Sequence, residues 1–346
     1  MNQIPVAVLG ATGTVGQKFV TLLQNHPQFK ITELVASPRS AGKPYKDACN
    51  WKQPGLIPED YATLVVKSIE EPLTSQILFS GLDSSVAGEA ETRYAQAGHV
   101  VISNSKNHRM DPDVPLIIPE INSDHFALVK RQKHKGALIT NSNCSTMFLA
   151  MALAPLDAEF GIEAVQVTTL QAISGAGYPG VPSMDIMGNI VPYIGDEEDK
   201  LENEPVKILG KLTETSLQFA DFAVSATCTR VPVFDGHTES VSIKFKRKPS
   251  VAEVKQCLTR FRGPANLQGL PSAPGQPIVV LEEQDRPQPL RDLWLENGMA
   301  TVVGRVRACP IMDVKMVLLG HNTVRGAAGA AILNAEAFVK LGYLTS

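Results

Sequence analysis

Residues 6–20 read VAVLGATGTVGQKFV, and this stretch decides the fold. Val6–Leu9 is an apolar run. Gly10, Gly13 and Gly16 follow at G-x-x-G-x-x-G spacing, and GQKFVTLLQNH continues as a helical pattern. A strand, a glycine turn and a helix in that order let the backbone approach a diphosphate closely. The unpaired N–H groups of the helix N-terminus then face the phosphates. The spacing is not the strict G-x-G-x-x-G fingerprint, but the physics is the same. Its place at the first strand predicts nucleotide binding, against the plain alternative of a tight turn.

The pattern continues outward from this loop. ITELVAS, QILFSGL, VVISNSK and ALIT alternate with helical segments such as GEAETRYAQAG up to about residue 140. Strand and helix in alternation predict a doubly wound parallel sheet. From about residue 160 the runs lengthen and alternate: IEAVQVTTLQAIS, FAVSATCTRVPV, TESVSIKF and VKMVLLG. These predict an antiparallel or mixed sheet, with SVAEVKQCLTRFRG as a helix and a further helix in GAAGAAILNAEAFVKLGY. The chain has 346 residues, enough for two domains, with 44% hydrophobic and 19% charged residues. A net charge of −3 argues against general affinity for nucleic acid or membrane surfaces. The five cysteines, Cys49, Cys144, Cys228, Cys257 and Cys309, lie far apart, so neither a disulfide framework nor a metal site is expected. No signal peptide or membrane span is read, and a cytoplasmic protein with free thiols is expected.

The second strand ends in Ser37-Pro38-Arg39-Ser40, where an NAD enzyme often carries a carboxylate. A guanidinium and two hydroxyls suit a 2′-phosphate, so NADP is expected over NAD; a solvated loop arginine is the plain alternative. GALITNSNCSTMFLAMALAPL, residues 136–156, sets Cys144 between a strand and a helix. That position is the ligand edge of a doubly wound sheet. The helix terminus is expected to lower the thiol pKa, and Asn143 with nearby N–H groups to hold an oxyanion. A thiol nucleophile needs a base. Of seven histidines, His237 stands out: it follows the turn FDG and opens a strand, seven residues after Arg230. An imidazole and a cation flanking one bend can converge on a small substrate.

These residues resemble the aspartate-β-semialdehyde dehydrogenase family. The resemblance covers nearly the whole chain in GATGTVGQKF, FSGLD, NSKNHRMDPDVPLIIPEIN, NSNCST, LQAISGAGYPGVPSMDI, PYIGDEEDKLENEPVKILG, TRVPVFDGHTE and GHNTVRGAAGAAILNAE, with an archaeal and fungal flavour. It implies a Rossmann-type doubly wound NADP-binding domain over 1–143, to which 322–346 return as a C-terminal helix. An α+β catalytic and dimerisation domain with a mixed sheet would span 144–321. The chain would be a homodimer or homotetramer. The resemblance implies Cys144 as nucleophile and His237 as acid/base. It gives Arg230 to the substrate α-carboxylate, Glu204 to the α-ammonium, Lys207 and Arg109 to phosphate, and Gln171 and Asn143 to the acyl group. Gly10, Thr12, Gly13, Thr14, Val15, Ser37, Arg39, Ser40, Ser80, Gly81, Ser174, Gly175 and Asn322 would line NADP.

The implied reaction is NADPH-dependent reduction of L-aspartyl 4-phosphate to L-aspartate 4-semialdehyde through a cysteine thioester, in the pathway to lysine, methionine, threonine and isoleucine. Rival readings are reductases of N-acetylglutamyl phosphate or malonyl-CoA, whose substrates lack a free α-ammonium, and a non-catalytic NADP-binding regulator.

Overall fold

Val6–Leu9 carries no polar residue because it lies in the middle of a sheet covered on both faces. The computed structural model describes residues 3–344. Its strands, in chain order, are β1 (Ile4–Leu9), β2 (Phe29–Ala36), β3 (Lys67–Ser68), β4 (Ile77–Ser80), β5 (Val100–Ser103), β6 (Leu116–Ile117) and β7 (Ala137–Asn141). They form a parallel sheet ordered β3-β2-β1-β4-β5-β7-β6. The chain winds outward from β1 to β3, then returns to place β4 on the other side of β1. A crevice opens at that switch point, at the carboxyl ends of β1 and β4. Gly10 and Gly81 stand there.

The second sheet holds β8 (Ile162–Gln171), β11 (Ala223–Arg230), β12 (His237–Phe245), β13 (Ile278–Val280), β14 (Thr301–Ala308) and β15 (Val314–Gly320); β9 (Lys211–Leu212) and β10 (Leu217–Gln218) form a separate ribbon. Its order is β11-β8-β12-β15-β14-β13, parallel at both edges and antiparallel within. One face is packed and the other open, so β12 alternates buried and exposed residues along its length. The helix Val251–Arg260 starts in a capping box, with Ser250 and Glu253 each satisfying the other's backbone N–H.

Two helices join the layers. Cys144–Phe160 follows β7 directly and is buried from Ser145 through Leu153. Its Phe148, Leu149 and Met151 pack in one core with Val167, Val241 and Leu318 of the second sheet. Each such side chain is worth about 1.5–3 kcal/mol of burial. The C-terminal helix Gly329–Lys340 leaves β15 and packs back on the first sheet, its Ala331, Ile332, Ala335 and Phe338 sharing a core with Phe19 and Phe79. Small residues on this helix allow that close approach.

Candidate active site

The cleft at the switch point encloses about 710 Å³. Gly10, Thr12, Gly13, Thr14, Val15, Ser37 and Gly81 line it. A Cβ at Gly16 would lie 2.2 Å from the Gly10 carbonyl oxygen, and Gly10 itself has φ +73 with the Gly81 carbonyl 2.7 Å from any Cβ. Only glycine fits at either position, and the resulting bare cradle leads into the N-terminus of the helix Thr14–Leu22. Ser37 closes a turn with Ser40, whose N–H donates to its carbonyl at 2.9 Å, and Arg39 is exposed on that turn beyond the lining. Ser80 is an exception: it is fully buried beside Glu91 beneath the floor, so its side chain does not reach the cleft. Ser174 and Gly175 directly precede Ala176, which lines the cleft, and Asn322 is tied to Ser174. Asn322 Oδ1 accepts the Gly236 N–H at 2.8 Å, and its Nδ2 donates to Ser174 Oγ at 2.8 Å.

The end of the second sheet supplies a row of functional side chains. Arg230 pairs in register with Gln171, and His237 with Gly320. Ala172, just past β8, holds two of them: its N–H donates to His237 Nδ1 at 3.0 Å, and its carbonyl accepts from Arg230 Nη1 at 2.8 Å. A Cβ at Gly175 would meet Arg230 Nη1 at 2.9 Å and His237 Nε2 at 3.1 Å, so a side chain there would occupy the site itself. With Nδ1 accepting, the single proton of the neutral ring sits on Nε2, which is buried and has no partner among the described residues. Burial, then Arg230, push His237 down to about 3, so the ring is a neutral donor with Nε2 beside Gly175.

Cys144 opens its helix, and Asn143 caps it, accepting the N–H groups of Ser145 at 2.9 Å and Thr146 at 3.1 Å. Asn143 Nδ2 donates to Glu197 at 2.6 Å, and its backbone N–H to Glu204 at 2.7 Å. Those three N–H groups are therefore spent inside the protein, and one Nδ2 hydrogen of Asn143 remains for an oxyanion. The expected lowering of the thiol pKa is also reversed. Burial pushes Cys144 up to about 12 and Glu197 adds to it, while Arg109, Arg230 and Lys200 pull the other way. Desolvation is the largest influence on the thiol, and the cap already occupies part of the positive helix end. At rest the site holds a thiol and a neutral imidazole.

Glu204 and Lys207, expected at the ammonium and the phosphate, are both engaged with other groups of the protein. Lys207 is fully buried, and its ammonium donates to the carbonyls of Arg109, Asp111 and Val114 at 2.6, 2.7 and 2.9 Å. Its three hydrogens are committed, leaving none for phosphate. Glu204 accepts from Arg109 Nη1 at 2.9 Å and from the Asn143 N–H, which makes it a brace between the arginine and the thiol helix. The pair that reaches Cys144 is Glu197–Lys200, on the same helix (Glu197–Ile208) and joined at 2.9 Å. Glu197 also accepts from Gln171 Nε2 at 3.4 Å. Burial pushes its carboxyl up, but Lys200, Asn143 and His237 outweigh that and hold it below the usual carboxylate range. The sequence signal for this pair was present in GDEEDK, as Glu and Lys at i, i+3.

The thiol, the imidazole, Arg230, Gln171, Arg109 and the Glu197–Lys200 pair are thus linked in one cluster by hydrogen bonds and charge, and Gly175, against Arg230 and His237, directly precedes Ala176 of the cleft lining. Comparisons with known proteins identify the family. The profile of the semialdehyde dehydrogenase NAD-binding domain matches residues 5–129, and that of the semialdehyde dehydrogenase dimerisation domain matches residues 153–325. The aspartate-semialdehyde dehydrogenase of Schizosaccharomyces pombe is 49% identical over 98% of this chain and 99% of its own. That of Archaeoglobus fulgidus is 47% identical over 97% and 98%. The crystal structure of the Candida albicans aspartate-semialdehyde dehydrogenase with NADP superposes with a TM-score of 0.90 at 46% identity, covering 98% of this chain and 99% of that one. From fold, site and these likenesses together, the chain belongs to the aspartate-semialdehyde dehydrogenase family.

Proposed function

We propose that the chain reduces L-aspartyl 4-phosphate to L-aspartate 4-semialdehyde with NADPH, using Cys144 as the nucleophile. The observation that carries this reading is the convergence of a thiol, a neutral imidazole donor and charges of both signs in one cluster, with Gly175 of that cluster directly before Ala176 of the glycine-loop cleft. The substrate has two anionic ends and one cationic group. Arg230 suits the α-carboxylate, since its planar fork matches two oxygens. Glu197 suits the α-ammonium, and Lys200 with Arg109 suits the phosphate. A carboxylate at the ammonium position favours aspartyl phosphate over the N-acetylated and CoA-linked alternatives, neither of which offers a free ammonium.

Attack by Cys144 Sγ on the acyl carbon forms the thioester. Phosphate leaves, carrying the thiol proton as hydrogen phosphate. Covalent capture helps because a thioester accepts hydride far more readily than a carboxylate. The cradle of Gly10, Gly13 and Gly16 and the N-terminus of the helix Thr14–Leu22 would hold the diphosphate of NADPH, which would supply the hydride. His237 Nε2–H donates a hydrogen bond to the carbonyl oxygen as negative charge grows there, and collapse of that alkoxide releases the aldehyde and the Cys144 thiolate, which takes a proton from solvent to return to the thiol. Gln171, held by Glu197, orients the acyl group. Glu204 positions Arg109.

We further assign 1–143 with 322–346 to cofactor binding and 144–321 to catalysis and dimerisation. The open face of the second sheet, with Leu170 exposed on β8, is the contact in a homodimer, and the reducing cytoplasm keeps Cys144 free. A rate assay with L-aspartate 4-semialdehyde, phosphate and NADP tests the reaction. Turnover that depends on all three is expected. Reduction of N-acetylglutamyl phosphate or malonyl-CoA in its place would overturn the substrate, and absence of any turnover would favour a regulator.

A further inference from the structure

The segment Asn50–Lys52 lies outside every role assigned above, yet it is tied to the glycine loop. Gln17 of the glycine-loop helix accepts the Lys52 N–H at 2.6 Å and donates to the carbonyls of Asn50 at 3.1 Å and Thr12 at 2.9 Å. The Lys52 side chain is exposed, and its ammonium sits 4.3 Å from the centre of the Tyr178 ring. Tyr178 arrives from the catalytic side of the molecule. Its N–H donates to Thr14 Oγ1 at 3.1 Å, and Thr14 and Tyr178 both line the cofactor cleft. Tyr178 is 64% exposed, and its ring stands at the mouth of the glycine loop with a cation over it.

The charge balance of the cleft gives this arrangement a use. A dinucleotide diphosphate carries two negative charges, whereas a helix N-terminus offers only about half a positive charge. Arg93 lines the cleft but is committed: it donates to the Ile69 carbonyl at 2.6 Å and pairs with Glu70 at 2.8 Å. Lys52, held beside the loop by an aromatic face, is a cation in reach. We propose that Lys52 and Tyr178 form a strap over the diphosphate of the bound dinucleotide, the ammonium supplying counter-charge and the ring fixing where it sits. This rests on the NADP reading above. Tyr178, one half of the strap, belongs to the loop that starts at Ala172, whose backbone holds His237 and Arg230, so one loop spans the cofactor and substrate sites.

The test is direct binding of NADP by titration calorimetry at low and high salt. Lys52→Met should weaken NADP by about threefold to tenfold at low salt, with the difference shrinking at high salt as the charge is screened. Lys52→Arg should keep most of the affinity, because a guanidinium also sits on an aromatic face. Tyr178→Phe should keep it as well, and Tyr178→Ala should lose as much as Lys52→Met. Adenosine 2′-phosphate, which has no diphosphate, should bind the unmodified protein and Lys52→Met equally, whereas Arg39→Asp should weaken it. NADP affinity within twofold of the unmodified protein for Lys52→Met overturns the strap. So does a parallel loss of NADP and adenosine 2′-phosphate. If the unmodified protein binds no NADP, the cofactor reading itself fails and the strap with it.

Discussion

Lys200 and Lys207 separate a site residue from a structural one, and replacing each by methionine should give opposite results. Lys207 satisfies the carbonyls of Arg109, Asp111 and Val114 from a fully buried position. Lys207→Met leaves three acceptors without a donor, and a buried unpaired acceptor costs about 1–3 kcal/mol. Part of that is offset because the methionine no longer buries a charge, so a net loss of about 3 kcal/mol is expected. At about 2–4 °C per kcal/mol for a domain of this class, Tm should fall by roughly 6 °C or more. Lys200 has a fifth of its side chain exposed and one ion pair, with Glu197. Losing it should change stability by less than about 1 kcal/mol. A charged hydrogen bond to phosphate is worth about 1.5–3 kcal/mol, so Lys200→Met should lower kcat/KM for phosphate by roughly 10- to 150-fold. Thermal melting and steady-state kinetics with varied phosphate decide the matter. Lys207→Met with an unchanged Tm and a raised KM for phosphate, together with a silent Lys200→Met, would refute the placement.

Cys144→Ala should melt normally and bind NADP normally while losing turnover by several orders of magnitude, measured in the phosphate-dependent assay; survival within about tenfold would exclude covalent catalysis at this thiol. Arg230→Leu should raise the KM for L-aspartate 4-semialdehyde strongly, and Arg230→Lys should recover only part, because charge returns without the fork; steady-state kinetics in the semialdehyde checks both. His237 has a folded pKa of about 3, below its value in the unfolded chain, so the unfolded state binds more protons between those values and stability falls as the solution is acidified through that window. His237→Asn should flatten that fall in denaturant titrations at pH 4 to 7, besides lowering kcat by about 10²–10⁴; an unchanged pH slope would mean the imidazole is not buried neutral.

The sequence by itself determined whatever local chemistry controls. A strand that runs into Gly10, Gly13 and Gly16 has few other folded uses, and the same logic put Cys144 at the mouth of a helix on the ligand edge of the sheet. Periodicity separated the parallel sheet from the mixed one, because strands covered on both faces read as solid apolar runs and half-open ones alternate. Arg230, Gln171 and His237 were named from motifs, and the register of β11, β8 and β12 brings them to one edge. Tertiary structure alone decided two things. Glu197–Lys200 and Glu204–Lys207 are the same i, i+3 pair repeated seven residues on, which returns to nearly the same helix face about 10 Å along the axis. No helical pattern can distinguish two positions on one stripe; only the packing of that helix beside Cys144 sets Glu197 and Lys200 about the thiol, while Lys207 is spent on backbone carbonyls and Glu204 on Arg109 and the Asn143 N–H. The thiol's protonation was likewise beyond local reading. A helix terminus favours the thiolate, but how much of that field survives depends on the Asn143 cap, on Glu197 and on the protein that closes around Cys144, and burial is a property of the folded chain.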